Sequence, residues 1–153
     1  MREVLDELVA EWRQGKSTAV GTVVSTYRSA PRPAGASMLV TSDERAVGSV
    51  SGGCVEGAVF ELGQQVLADE TPVLQRYGVS DDAAFTVGIT CGGIIDVFVE
   101  KVDPIHCPEL DDVATSVAKK EPVAVVTERT SPCRARPFAT KASAIEEPTF
   151  SLQ

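Results

Sequence analysis

Histidine is nearly missing from this chain. The one present, His106, sits in the junction Asp103-Pro104-Ile105-His106-Cys107-Pro108. A Ser-His-Asp device or a histidine-ligated zinc site needs imidazole among organised loops, so neither is expected. The four cysteines, Cys54, Cys91, Cys107 and Cys133, form no C-x-x-C pair, which removes zinc-ribbon spacing. G-x-G is absent, so a Rossmann dinucleotide-binding domain is unsupported and NAD is not expected. No segment approaches the ~20 apolar residues that span a bilayer. The start, Met1-Arg2-Glu3-Val4-Leu5-Asp6-Glu7, is too acidic for a signal peptide. A cytoplasmic location follows as the expectation, with thiols mostly reduced and no membrane partner. Positive charge is short as well: 14 Lys plus Arg against 22 Asp plus Glu give a net −8, which argues against nucleic acid as a partner.

What is present is a chain of 153 residues with 43% hydrophobic and only 5% aromatic content. Aliphatic side chains and alanine must therefore fill its core. All 12 glycines lie between Gly15 and Gly93, whereas six of the nine prolines lie from Pro104 onward. Residues 1–104 carry 8 basic and 15 acidic groups, and the remainder 6 and 7. Three stretches follow: a body at 1–104, a helix-strand extension at 105–127, and a proline-containing tail at 128–153 with little periodicity and no expected fold of its own. The extension echoes the opening, with Leu110-Asp111-Asp112-Val113 lying over Leu5-Asp6-Glu7-Leu8 at an offset of 105. It reads as the start of a degenerate second unit.

Periodicity predicts helices over about 2–14, 54–69 and 108–120. Strands are predicted at Thr18 to Tyr27, Met38 to Thr41, Ala46 to Val50, Val73 to Tyr77, Ile94 to Glu100 and Val123 to Thr127. Ser80-Asp81-Asp82 caps a short helix through about Val87, which makes the two aspartates helix-start charges. The fold class expected is mixed α+β, one mixed sheet flanked by helices.

Two loops stand out, Ser51-Gly52-Gly53-Cys54 and Thr90-Cys91-Gly92-Gly93. Paired glycines allow backbone shapes and close approaches that a Cβ would block. Amides in such a turn, feeding a helix N-terminus, make an anion site and favour a thiolate. Cys54 is thus the first candidate for a reactive or ligating sulfur. Glu56 falls in the first helical turn, where acid is favourable without any further role. Arg32, between two prolines, is placed to meet an anion. The same turns are also compatible with a structural role, both cysteines being small buried hydrophobes.

The segments GSVSGGCVEGAV (48–59), GITCGGIIDVFVE (88–100), SAPRPAGA (29–36) and YGVSDD (77–82) together resemble the N-terminal domain of the XdhC/CoxI family. The resemblance implies an accessory protein for molybdenum hydroxylases of the xanthine dehydrogenase or carbon monoxide dehydrogenase type. Such a protein binds the molybdenum cofactor (molybdopterin), assists its sulfuration and delivers it to the apoenzyme. It places the family's signature on Gly52, Gly53, Cys54, Glu56, Cys91, Gly92 and Gly93. With Ser51 and Arg32 these form the expected cofactor-binding set, Cys54 and Cys91 being the sulfurs near molybdenum. A soft, dithiolene-bound metal suits thiolate contacts.

Two further chemistries stay open on the same residues: Cys54 as a persulfide carrier supplied by a cysteine desulfurase, and a thiol-disulfide switch between Cys54 and Cys91. A non-catalytic interaction module remains a third reading. The chain is expected to act as an accessory factor more than as an enzyme. A homodimer is expected where sheet edges would otherwise stay open.

Overall fold

The computed structural model describes residues 1–78 and 93–125. A short 3-10 turn at Arg2–Val4 runs into helix α1 (Leu5–Arg13), followed by β1 (Thr18–Tyr27), β2 (Ser37–Thr41), β3 (Ala46–Gly48), α2 (Glu56–Asp69), β4 (Val73–Gly78), β5 (Ile94–Val102) and α3 (Leu110–Ala118). The five strands form one sheet in the order β3-β2-β1-β5-β4. Every pairing in it is antiparallel, so the mixed α+β class holds while the sheet itself is not mixed.

Alternation along β1 divides the interior in two. Ala19 and Val23 face a core with Met38, Val40, Val59, Val66, Ile95, Val97 and Val99, and this core is roofed by α2. Val20 faces the opposite core, with Val4, Leu5, Leu8, Val9, Leu39, Val102, Cys107 and Leu110. Gly63 lets α2 close onto the sheet, since a Cβ there would stand 2.9 Å from a Val40 methyl.

Helix α3 lies against α1. Asp111 accepts from Arg13 Nε at 3.0 Å and Nη2 at 2.7 Å, and the Trp12 indole donates to the Cys107 carbonyl at 3.0 Å. Buried Glu11 anchors the other side of α1 by accepting from Arg45 Nη2 at 2.6 Å. Lys16 Nζ stands 3.2 Å from the same carboxylate. Cys107 is buried and disulfide-bonded, unlike the reduced thiol expected of it, whereas Cys54 keeps its thiol.

The predicted helices and the first five strands appear within a few residues of their expected bounds. Of the sixth, the described residues Val123–Val125 have no regular structure, following Pro122, which has no N–H to give a ladder, while Val126 and Thr127 lie outside the described residues. The short helix expected at Ser80 to Val87 and the tail at 128–153 lie outside the described residues. None of the described helices is long and apolar enough to cross a membrane.

Candidate functional site

Antiparallel pairing in that strand order sends β1, β3 and β4 in one direction and β2 and β5 in the other. Tyr27, Gly48 and Gly78 therefore end at the same edge of the sheet from which Ser37 and Ile94 start. The loops after Tyr27 and after Gly48 both leave from this end, where Gly78 and Gly93 also lie. They come close. A Cβ on Gly93 would stand 2.7 Å from the Ser29 carbonyl oxygen, and one on Gly78 would stand 2.8 Å from the Gly93 carbonyl oxygen. Ala30 and Cys54, both partly buried, pack against the α2-side core. His106 follows β5 at the opposite end, where Nδ1 lies 2.9 Å from both oxygens of Asp103.

The loop from Ser49 to Val55 is built around Glu56. Oxygen Oε1 accepts from the Ser49 hydroxyl (2.6 Å) and from the amides of Val50 (3.2 Å) and Ser51 (2.9 Å). Oxygen Oε2 accepts from the Ser51 hydroxyl (2.6 Å) and from the amides of Gly53 (2.8 Å) and Val55 (3.2 Å). The Gly52 amide donates to Ser49 Oγ at 2.9 Å, and the amides of Cys54 and Val55 donate to Ser51 Oγ at 3.0 Å. Every amide from Val50 to Val55 thus has a side-chain acceptor inside the loop. Gly52 and Gly53, with φ of 78° and 118°, supply the left-handed turns this wrapping requires. A Cβ on either would meet nothing within 4 Å, so the space beside them is open.

The anion nest expected at this turn consequently holds an internal anion. Partial burial opposes ionisation of Glu56, but the hydroxyls of Ser49 and Ser51 and the Ser51 amide outweigh it and hold the carboxyl at about 2. Helix α2 begins at Glu56, two residues beyond the predicted start, because the preceding glycines take left-handed conformations.

The expected site residues fall into three groups. Ser51, Gly52, Gly53, Cys54 and Glu56 share one loop, with the Cys54 thiol half-buried and outside any disulfide. Gly93 and the Arg32 loop reach the same end of the sheet, but the Arg32 guanidinium pairs with Glu3. Its Nε has no hydrogen-bond partner among the described residues. Cys91, Gly92, Asp81 and Asp82 lie outside the described residues.

Ser49 belongs to the loop's core and is not among the residues the sequence singles out. A capping box separates its serine and glutamate by three positions, whereas here Ser49 and Ser51 reach Glu56 across seven and five. No group of three or more His, Cys, Asp or Glu among the described residues is arranged to hold a metal ion.

Comparison with known proteins adds a lineage to this geometry. Residues 11–78 match the XdhC and CoxI family. The chain is 37% identical over 103 residues to a probable xanthine dehydrogenase subunit of Bacillus subtilis (strain 168), covering 65% of this chain and 30% of that one. It is 34% identical over 101 residues to the molybdenum cofactor insertion chaperone PaoD of Escherichia coli (strain K12), covering 66% and 31%. Among solved structures, a xanthine dehydrogenase from Bacillus halodurans superposes with a TM-score of 0.57 at 28% identity, covering 76% of this chain and 34% of that one. The chain spans about a third of the length of these relatives.

Proposed function

Residues 11–78 being a segment of the XdhC and CoxI family, we propose that this protein is an accessory factor for molybdenum hydroxylases that holds the molybdenum cofactor, aids its sulfuration and passes it to the apoenzyme. The observation that carries this reading is the placement of Cys54. Its thiol, outside any disulfide, lies at the sheet end where the loops gather, beside open space at Gly52 and Gly53. A similar sequence occurs in a relative named as a molybdenum cofactor insertion chaperone. Sulfur is a fitting donor for a soft metal held by a dithiolene.

In this reading Ser51, Gly52, Gly53, Cys54 and Glu56 form one wall of the site. Cys91, Gly92 and Gly93 form a second, and Arg32, in the loop after Tyr27, meets the cofactor's phosphate. Cys54 and Cys91 are the metal-facing sulfurs. For sulfuration, the Cys54 thiolate takes the outer sulfur of a cysteine desulfurase persulfide. A new S–S bond forms at Cys54 and the desulfurase cysteine leaves as a thiolate. A second copy of this chain, pairing through edge strand β4, completes the set of partners.

The test is transfer. Full-length protein incubated with molybdopterin-bound molybdenum and then with an apo molybdenum hydroxylase should restore hydroxylase activity faster than cofactor alone. Equal rates with and without the protein would overturn the assignment.

A further inference from the structure

We propose that Cys107 is bonded to Cys133, and that this disulfide is a redox-sensitive clasp closing the chain around α3. The buried Cys107 is in a disulfide, while Cys54 keeps its thiol. The sequence leaves two partners, Cys91 and Cys133, both outside the described residues. Chain reach and the internal repeat choose between them.

Cys91 is tethered to the far end of β5. Gly93 and Asp103 flank that strand, so its extended backbone sets them about 30 Å apart. Cys91 is two residues from Gly93 and so within about 7 Å of it. Cys107 is held one turn from Asp103, its amide donating to the Asp103 carbonyl at 2.9 Å, and the Trp12 indole fixes its own carbonyl at 3.0 Å. These tethers leave well over ~10 Å between Cys91 and Cys107, whereas a disulfide tolerates no more than about 7 Å between Cα atoms. Cys133 meets no such bar. Val125 lines the groove between α1 and α3 with Leu5, Val113 and Val117, on the side where Cys107 packs with Leu5, Leu8 and Leu110. The eight residues from there to Cys133 can span up to about 27 Å.

The repeat gives the same pair independently. At the offset of 105, Glu3 lies over Pro108, the neighbour of Cys107. Arg28-Ser29-Ala30-Pro31 lies over Arg129-Thr130-Ser131-Pro132 at an offset of 101, which lays Arg32 over Cys133. In the first unit Arg32 and Glu3 form an ion pair, so its loop closes on the start of its helix. The matching closure in the second unit joins residue 133 to the residues before α3, where Cys107 stands.

The bond closes a loop of 27 residues that contains all of α3. It forms when the two thiols reduce a low-molecular-weight disulfide such as oxidised glutathione. One S–S bond is made in the protein and one is broken in the small disulfide, whose two released thiols carry away the two hydrogens and two electrons. A dithiol runs the exchange backward. The clasp is therefore shut under oxidising conditions and open under strongly reducing ones, and it uses neither Cys54 nor Cys91.

The test is a disulfide map of the full chain. Protein equilibrated with oxidised glutathione is blocked in denaturant with N-ethylmaleimide, digested with trypsin without reduction and read by mass spectrometry. The expected product joins residues 102–119 to residues 130–134. Cys107 found in any other form would overturn the proposal. Melting gives a second readout. Dithiothreitol should lower the melting temperature of oxidised wild type by at least about 5 °C and leave that of Cys133→Ser unchanged, because only the former loses a cross-link. No shift in wild type, or an equal one in the variant, would also overturn it.

Discussion

The Ser51 hydroxyl donates to Glu56 Oε2 at 2.6 Å while accepting the amides of Cys54 and Val55 at 3.0 Å each. One oxygen thus joins the residue that starts α2 to the residue that carries the candidate thiol. Ser51 is almost fully buried, so water does not replace these partners when they are lost.

Ser51→Ala is therefore expected to cost about 1–3 kcal/mol of stability, because a buried hydroxyl that bridges Glu56 to the amides of Cys54 and Val55 is removed. Urea denaturation of the two proteins measures it. A change within the scatter of ordinary surface substitutions would mean that the loop reorganises around Glu56 alone.

Glu56 makes stability depend on pH in one direction. Its carboxyl lies at about 2 in the folded protein against the usual 4.5, so its stabilising contribution is fully present above the higher value. That contribution fades as pH falls from there toward about 2. The stability difference between wild type and Glu56→Gln should shrink over the same interval. Denaturation curves that stay parallel down to the acid limit would contradict this.

Much of this framework is legible in the sequence, because apolar periodicity is imposed by burial. Val55, Val59, Leu62 and Val66 mark α2, and the uninterrupted run at the start of β1 reflects a strand packed on both faces. The five strand positions follow from the same cause. What periodicity does not carry is strand direction, which depends on contacts distant in the chain, and the occupant of the glycine turn. Glu56 alone reads as a favourable helix-start charge. Only the fold shows the hydroxyls of Ser49 and Ser51 and the amides of Val50, Ser51, Gly53 and Val55 pointing at it, because Gly52 and Gly53 curl the chain back over the helix end. Val123 to Val125 shows the opposite case, a β-prone run that takes no regular structure among the described residues.

The gathering of loops at one end of the sheet can be tested with paired alanines. Gly93→Ala puts a Cβ against the Ser29 carbonyl and should destabilise by about 1–3 kcal/mol. Gly57→Ala, in α2 with nothing within 4 Å, should be neutral or stabilise by up to about 1 kcal/mol. Thermal unfolding of both variants checks the contrast; equal effects would contradict the close approach of the loop after Tyr27 to Gly93.

A sulfur-carrying role makes its own demand. Incubation with a cysteine desulfurase and cysteine should add one sulfur to the Cys54 peptide, and Cys54→Ser should abolish that mass increase. Absence of the added mass in wild type would remove sulfuration from the account and leave cofactor holding intact.

The most direct measurement is the affinity of the purified full-length protein for molybdenum-bound molybdopterin, in wild type and Cys54→Ala. The account predicts capture by wild type and an affinity at least about tenfold weaker in the variant, the loss of a single metal-facing sulfur contact. Equal affinity in the two proteins, with both shown to be folded, would contradict it.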